Sequence, residues 1–221
     1  NYTGWCPHNL QYDKTRNKFV FLQSHSTQHL NGKFVNMTLC YLDPSDPLNY
    51  KKLNCPDYEG LGALLVKDDG TWYIWTADKR YMSKDAGATW KEDKLITPLP
   101  TRYGVYDLDG TLYMGDDSAE RGIYRVSEDD GLTWETKNFG VNYSDCEASF
   151  CRFKGKTYAF LRTNETNYAC IMQETKDGWE IVDDKSILAY ASNCSPVVFD
   201  DYIAIAHINR KDCHLYYTIW D

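Results

Sequence analysis

Two octapeptides, Ser83-Lys84-Asp85-Ala86-Gly87-Ala88-Thr89-Trp90 and Ser127-Glu128-Asp129-Asp130-Gly131-Leu132-Thr133-Trp134, share the pattern SxDxGxTW and lie 44 residues apart. A contracted third copy, Glu174-Thr175-Lys176-Asp177-Gly178-Trp179, places its Trp 45 residues after Trp134. A weaker copy over 42–50 has Tyr50 in the Trp position, 40 residues before Trp90. A fixed period of this length restricts the fold severely, because each period is one supersecondary unit that cannot bury its faces alone and must stack on its neighbours.

The content of each period is β. No window sustains apolar residues at i, i+3, i+4 and i+7, whereas short alternating runs rich in Tyr, Val, Ile and Thr recur. They fall at 18–23, 63–66, 71–76, 122–126, 157–162, 169–174, 196–199 and 215–220. Asp69-Gly70, Asp109-Gly110, Asp130-Gly131, Lys154-Gly155 and Asp177-Gly178 separate such runs, where hairpins need positive φ.

The repeated octapeptide resembles the Asp-box of sialidases and related β-propellers, a hairpin between the third and fourth strands of a blade. Its chemistry is structural: Asp85 and Asp129 accept turn N–H groups, Gly87 and Gly131 take left-handed positions, and Trp90 and Trp134 pack between blades. The resemblance implies an all-β, five-bladed β-propeller in a single domain over 1–221. At roughly 40–45 residues per blade, the blades run over about 7–55, 60–96, 102–139, 147–182 and 195–221. Blade five shows three clear strands, and its fourth is expected from residues 1–5 or from residues outside this sequence. The chain opens on Asn1 with no basic segment leading into an apolar stretch, which reads as a processed or excised piece.

Composition removes several function classes. A chain of 221 residues that is 43% hydrophobic fills a real core and is not disordered. Its longest apolar runs, such as Tyr202 to Ala206, are far too short to cross a bilayer, so no membrane insertion is expected. Against 32 acidic residues stand 24 Lys and Arg, for a net charge of −8 and no basic run to track a phosphate backbone, so nucleic acid is not an expected partner. The 8 Cys form no CxxC or Cys/His cluster of zinc spacing, so no structural metal is expected; no cofactor is expected either, and the thiols, on or next to strands without obvious pairing, are expected mostly reduced. Five N-x-S/T sequons, at Asn1, Asn36, Asn142, Asn164 and Asn193, would suit a secreted protein.

Propellers bind ligands where first strands and the loops into them converge. Blade four offers Glu147 at the opening of its first strand and Arg162 at the end of its second, 15 residues later; Arg210 ends the corresponding strand of blade five. His25, His29 and His207 are candidates to line the same mouth, and Tyr103, Tyr106 and Tyr190 to stack on a pyranose face. The tract Asp107, Asp109, Asp116, Asp117 offers a partner for Glu147 in an inverting hydrolase.

The Glu and two Arg resemble the sialidase superfamily in blade position and spacing. The resemblance implies an Arg pair gripping a sugar carboxylate bidentately and a Glu147 that makes a Tyr nucleophile more basic. The chain offers no first-blade Arg that completes the usual three-Arg cluster, no assignable Asp acid and no sixth blade for that Tyr, a set of departures partly shared by phage endosialidases. The stretch from Asp13 to His25 also resembles the opening of propellers in phage tail receptor-binding proteins. The expectation is therefore a carbohydrate-binding domain of a phage tail fibre or tailspike, recognising an acidic cell-surface glycan. It would sit in the virion tail as a homotrimer joined through segments outside this chain, or alternatively be secreted. Binding ranks above a sialidase-type glycoside hydrolase with Glu147 as its catalytic residue, and a propeller used only for protein interaction or assembly is the third class.

Overall fold

A computed structural model describes residues 3–5, 10–27, 34–96, 98–99, 104–116, 122–142, 147–162, 169–183, 188 and 190–221. Every regular element among them is a strand, and the strands form five antiparallel sheets in chain order, the organisation of a five-bladed β-propeller. The chain divides into two compact units, Asn1–Asp107 with Asp129–Trp134 and Leu108–Glu128 with Glu135–Asp221.

In the first unit, sheet one contains β1 (Thr3–Trp5), β2 (Leu10–Asp13), β3 (Lys18–Ser26), β4 (Phe34–Asp43) and β5 (Asp46–Leu53), in the order β1-β3-β4-β5 with β2 also on β3. Thr3 pairs with Ser26 and Trp5 with Ser24, so this segment belongs to sheet one and does not supply the fourth strand of blade five. Sheet two runs β6 (Ala63–Val66), β7 (Trp72–Trp75), β8 (Lys79–Ser83) and β9 (Lys91–Lys94). Its inner strands, ALLV and WYIW, are buried at every position because both their faces are covered, whereas the outer KEDK is mostly exposed. Charged residues on an outer strand also discourage edge-to-edge pairing.

Val20, Leu22, Met37 and Leu39 of sheet one pack with Leu64, Val66, Trp72, Ile74 and Tyr81 of sheet two. A polar anchor accompanies this core. Fully buried Asp13 accepts N–H bonds from Thr15 (3.0 Å), Arg16 (3.1 Å) and the Trp72 indole (2.8 Å), and is paired with the Arg16 guanidinium at 2.6 Å. Burial alone would raise its pKa, but the bonds from Thr15, Arg16 and Trp72 outweigh that and hold the carboxyl below its ordinary value.

The two octapeptides fold alike. Thr89 donates its N–H to Asp85 Oδ1 at 2.8 Å and its hydroxyl to Oδ2 at 2.6 Å; Thr133 does the same to Asp129 at 2.9 and 2.7 Å. Ala86-Gly87 and Asp130-Gly131 both adopt positive φ. Each Trp then leans back on the preceding sheet's territory. Half-buried Trp90 donates to the Asn54 carbonyl at 3.2 Å, and Trp134 packs edge-on against Trp75 of β7 with centroids 6.0 Å apart. Tyr50 departs from the pattern: it lies within β5 opposite Leu42 and packs on Phe21 of its own sheet, because the short turn at Pro44-Ser45 leaves no room for the full motif.

Sheet three runs β10 (Val105–Leu108), β11 (Thr111–Gly115), β12 (Ile123–Ser127) and β13 (Glu135–Asn138). Sheets four and five lie wholly in the second unit. Sheet four comprises β14 (Glu147–Phe153), β15 (Lys156–Arg162), β16 (Ala169–Thr175) and β17 (Gly178–Asp183); sheet five comprises β18 (Ala191–Val198), β19 (Ile203–Asn209) and β20 (Leu215–Trp220). Trp179 repeats the backward packing: its indole donates to the Tyr124 hydroxyl at 2.9 Å and its ring meets Phe139 at 5.2 Å. Between sheets four and five the core is built from Phe153, Tyr158, Phe160, Ile171, Cys194, Ile203 and Ile205, closed by Trp220.

Candidate functional site

The β14–β15 hairpin determines which residues meet. Lys154 and Gly155 both take positive φ, the two-residue turn whose twist suits flanking strands, and the register runs from Phe153↔Lys156 back to Glu147↔Arg162. The 15-residue interval therefore becomes a direct cross-strand pair. Arg162 Nη1 donates to Glu147 Oε2 at 2.6 Å, with Glu147 9% exposed.

A row of backbone contacts carries this end of sheet four over to sheet five. Arg162 pairs with Ala169; Ala169 and Ala191 both donate their N–H groups to the Leu188 carbonyl at 3.1 Å; Ala191 pairs with Asn209, the residue before Arg210. Arg210 N–H then donates to the Tyr190 carbonyl at 2.8 Å. Arg210 is half-buried, and burial lowers its pKa; the like charge of Arg162 acts in the same direction and the carboxylate of Glu147 opposes both. Glu147, Arg162, Arg210 and Tyr190 thus share one end of the second unit. Tyr190 itself holds a left-handed φ of 59°.

The remaining sequence-derived candidates are placed differently. His207 lies on β19, 5% exposed, with Nε2 on the Thr218 hydroxyl at 3.2 Å, its ring stacked on Tyr216, and Nδ1 without a hydrogen-bond partner among the described residues. Its side chain faces the inner side of sheet five, with Ile203 and Ile205. His25 belongs to the first unit, where Nε2 meets the Thr38 hydroxyl at 2.9 Å. Tyr106 lies on β10 in the first unit. Tyr103, His29 and Asp117 fall outside the described residues.

In the acidic tract, Asp109 pairs with Arg152 at 2.9 Å and Asp107 with Lys67 at 3.5 Å. Buried Asp116 receives Arg125 Nε at 2.6 Å. Asp116 is also close to the site through the backbone: a Cβ on Gly115 would lie 2.7 Å from the Ala148 nitrogen, so the residues flanking Asp116 and Glu147 touch main chain to main chain.

Sequence reasoning missed one cation beside these groups. Lys211 follows Arg210, and its ammonium sits 5.4 Å from the centroid of the Tyr190 ring. The signal was its adjacency to Arg210 in a turn-prone stretch, which a search by strand-end position passes over.

No protein-family model matches the chain, nor does any curated protein sequence. Solved structures do match in fold. YCF48 bound to D1 peptide aligns over 99% of this chain and 81% of its own at 12% identity and a TM-score of 0.54. The GH43_1 enzyme from Xanthomonas citri complexed with xylotriose aligns over 97% and 86% at 9% identity and 0.54. Zg3597, a family 117 glycoside hydrolase of Zobellia galactanivorans, aligns over 100% and 90% at 10% identity and 0.55. At these identities the likeness is one of fold, a β-propeller shared by glycoside hydrolases and a peptide-bound protein.

Chemically, the grouped residues suit an anion. Two guanidinium groups stand about one carboxylate at one end of two sheets, in a chain whose net charge is −8. A planar fork meets a carboxylate through paired N–H bonds, which carry both strength and orientation.

Proposed function

We propose that this chain is a carbohydrate-binding β-propeller that recognises a glycan whose sugars carry carboxylates. The observation supporting this is the convergence of Arg162 and Arg210 about Glu147, in which Arg210 feels both the other guanidinium and the carboxylate. Glu147 orients Arg162 by their 2.6 Å contact so that Arg162 and Arg210 meet the ligand carboxylate together, with Tyr190 as a stacking face. The SxDxGxTW hairpins support the relationship to sialidase-type propellers. The resemblance of the Asp13–His25 stretch to phage tail receptor-binding propellers supports placing the domain in a tail fibre or tailspike that attaches to a host surface. Binding is tested on an array of sialylated and uronic-acid glycans beside their carboxyl-reduced counterparts. The acidic members should be retained and the reduced ones lost; equal retention of both would overturn the reading.

A second reading, glycoside hydrolysis, is favoured by one observation: buried Asp116 and Glu147 flank the Gly115–Ala148 backbone contact. Hydrolases with two carboxylates place them about 5–5.5 or 6.5–9.5 Å apart, according to stereochemical outcome. Here each carboxylate is held by its own guanidinium, a poor arrangement for delivering a proton, so binding takes precedence. Release of reducing ends from a bound polymer, abolished in Glu147→Gln with binding retained, would reverse that order.

A further inference from the structure

Sheet five ends at its third strand, whereas each of the other four sheets continues to a further outer strand. Among the described residues β20 pairs with β19 alone, so its far edge presents a row of backbone N–H and C=O groups to which another strand can add. The corresponding third strands of sheets two, three and four, β8, β12 and β16, are largely buried, whereas four of the six residues of β20 are exposed.

The residues of this edge differ from those of the other outer strands. Charges lie on β5 (Asp46, Lys51, Lys52), on every position of β9, on β13 (Glu135, Lys137) and on β17 (Glu180, Asp183), and charge on an edge discourages the addition of another strand. The strand LYYTIW of β20 carries none, and its Tyr, Thr, Ile and Trp are strand-forming residues. Residues opposite one another in a ladder share a face. Tyr216, Thr218 and Trp220 lie opposite His207, Ile205 and Ile203, on the inner face of the sheet. Leu215, Tyr217 and Ile219 lie opposite Ile208, Ala206 and Ala204 on the other face, where they are 73, 78 and 55% exposed.

We infer that β20 pairs antiparallel with β20 of a second copy of this chain, across a two-fold axis that sets Tyr217 opposite its own counterpart. A two-fold axis normal to the sheet keeps each face on its own side, so a residue of the strand must lie opposite itself. With Tyr217 at the centre, Leu215 meets Ile219 of the second copy on one face and Tyr216 meets Thr218 of the second copy on the other. These are aliphatic and aromatic–β-branched pairs of the kind that stabilise a ladder, and no like charges are brought together. The neighbouring registers are poorer: centring on Thr218 sets Leu215 against the carboxylate of Asp221, and centring on Tyr216 carries the pairing into the turn at Cys213. The same operation on β9 sets Glu92 or Asp93 against its own copy, a like-charge contact that β20 avoids. The inference is independent of the glycan reading, and the contact is separate from a trimer joined through segments outside this chain.

Sedimentation equilibrium of the full chain over about 1–200 µM covers the weak association expected of so small an interface. The parent should show a reversible monomer–dimer equilibrium. Tyr217→Lys and Tyr217→Glu each place like charges opposite one another across the axis, and each alone should associate at least about tenfold more weakly. Mixed in equal amounts, the two variants should form a Lys–Glu heterodimer that recovers parent-like association within about threefold, because position 217 faces itself. Tyr217 is exposed, so both variants should keep the parent's melting curve, and Tyr217→Phe should keep its association. A parent that stays monomeric throughout this range, as it would if the edge took a strand from another protein, overturns the inference. So does a dimer that Tyr217→Lys leaves intact, a trimer in place of a dimer, or a mixture of correctly melting Lys and Glu variants that fails to associate.

Discussion

Trp75 and Trp134 donate their indole N–H groups to the same acceptor, the carbonyl of Gly131, at 2.9 and 3.0 Å. The glycine is required on two counts. Its φ is +76°, and a Cβ there would sit 2.5 Å from Trp75 Nε1 and 2.6 Å from Cζ2 of the same ring. Gly131→Ala should therefore cost about 2–4 kcal/mol, combining left-handed strain with displacement of a buried indole. Gly140→Ala is the control: φ is similar at +78°, but nothing lies within 4 Å, so about 1 kcal/mol is expected. Denaturant midpoints of the two variants check the difference, and equal losses would contradict the packing account.

Asp85 makes the repeated hairpin sensitive to acid. Bonds from the Thr89 hydroxyl and N–H, then from Ser83, bring its pKa from 3.8 down to about 2. A carboxylate lowered on folding contributes stability that is fully present above the unfolded value and is lost as pH falls through the folded one. The window is thus about pH 4 to 2. Asp85→Asn, compared with the parent by thermal melts across that range, should show the smaller acid-dependent loss, while being less stable at pH 7.

His207 acts in a different window. Burial lowers its pKa below 6.5, so the folded state prefers neutral imidazole while the unfolded state binds the proton more readily. Stability tied to His207 is complete above about pH 6.5 and declines as pH falls from there through the lower folded value. His207→Gln should flatten the stability profile below about pH 6.5. An unchanged slope would show that another group sets it.

The described cysteines, Cys40, Cys55, Cys151, Cys170, Cys194 and Cys213, are free thiols. Burial pushes Cys55, Cys151 and Cys194 up to about 12, which suppresses the reactive thiolate at neutral pH, whereas Cys213 is exposed. Native-state thiol titration should lose a fast phase in Cys213→Ser, and denaturation should release at least these six thiols. Fast native labelling of Cys194 would contradict the packing of sheets four and five.

Much of the fold was readable because its determinants are local. Trp90, Trp134 and Trp179 recur at blade spacing, and each packs backward as the repeat implies. Glu147 and Arg162 were readable as a pair for the same reason, since the Lys154-Gly155 turn lies midway between them and sets the register. What escaped depends on long-range partners. Asp13 resembles a turn residue until the Trp72 indole, 59 positions away, closes over it. The pairing of Thr3–Trp5 with β3 is non-local, and so is the placement of Lys211 over Tyr190. No periodicity signals contacts of that kind.

The central claim is that Arg162 and Arg210 bind a sugar carboxylate together, and the most direct measurement is the affinity of Arg162→Ala, Arg210→Ala and the double variant for an acidic oligosaccharide retained by the parent. The account predicts a loss of about 2–5 kcal/mol for each single variant. It also predicts a double-variant loss smaller than the sum, because both guanidinium groups address one ligand group. Folding of each variant is verified by its melting curve, with Glu147→Gln as a partner that should weaken binding less than either Arg change. Parent-like affinity in both Arg variants would contradict the account and move the site away from this end of sheets four and five.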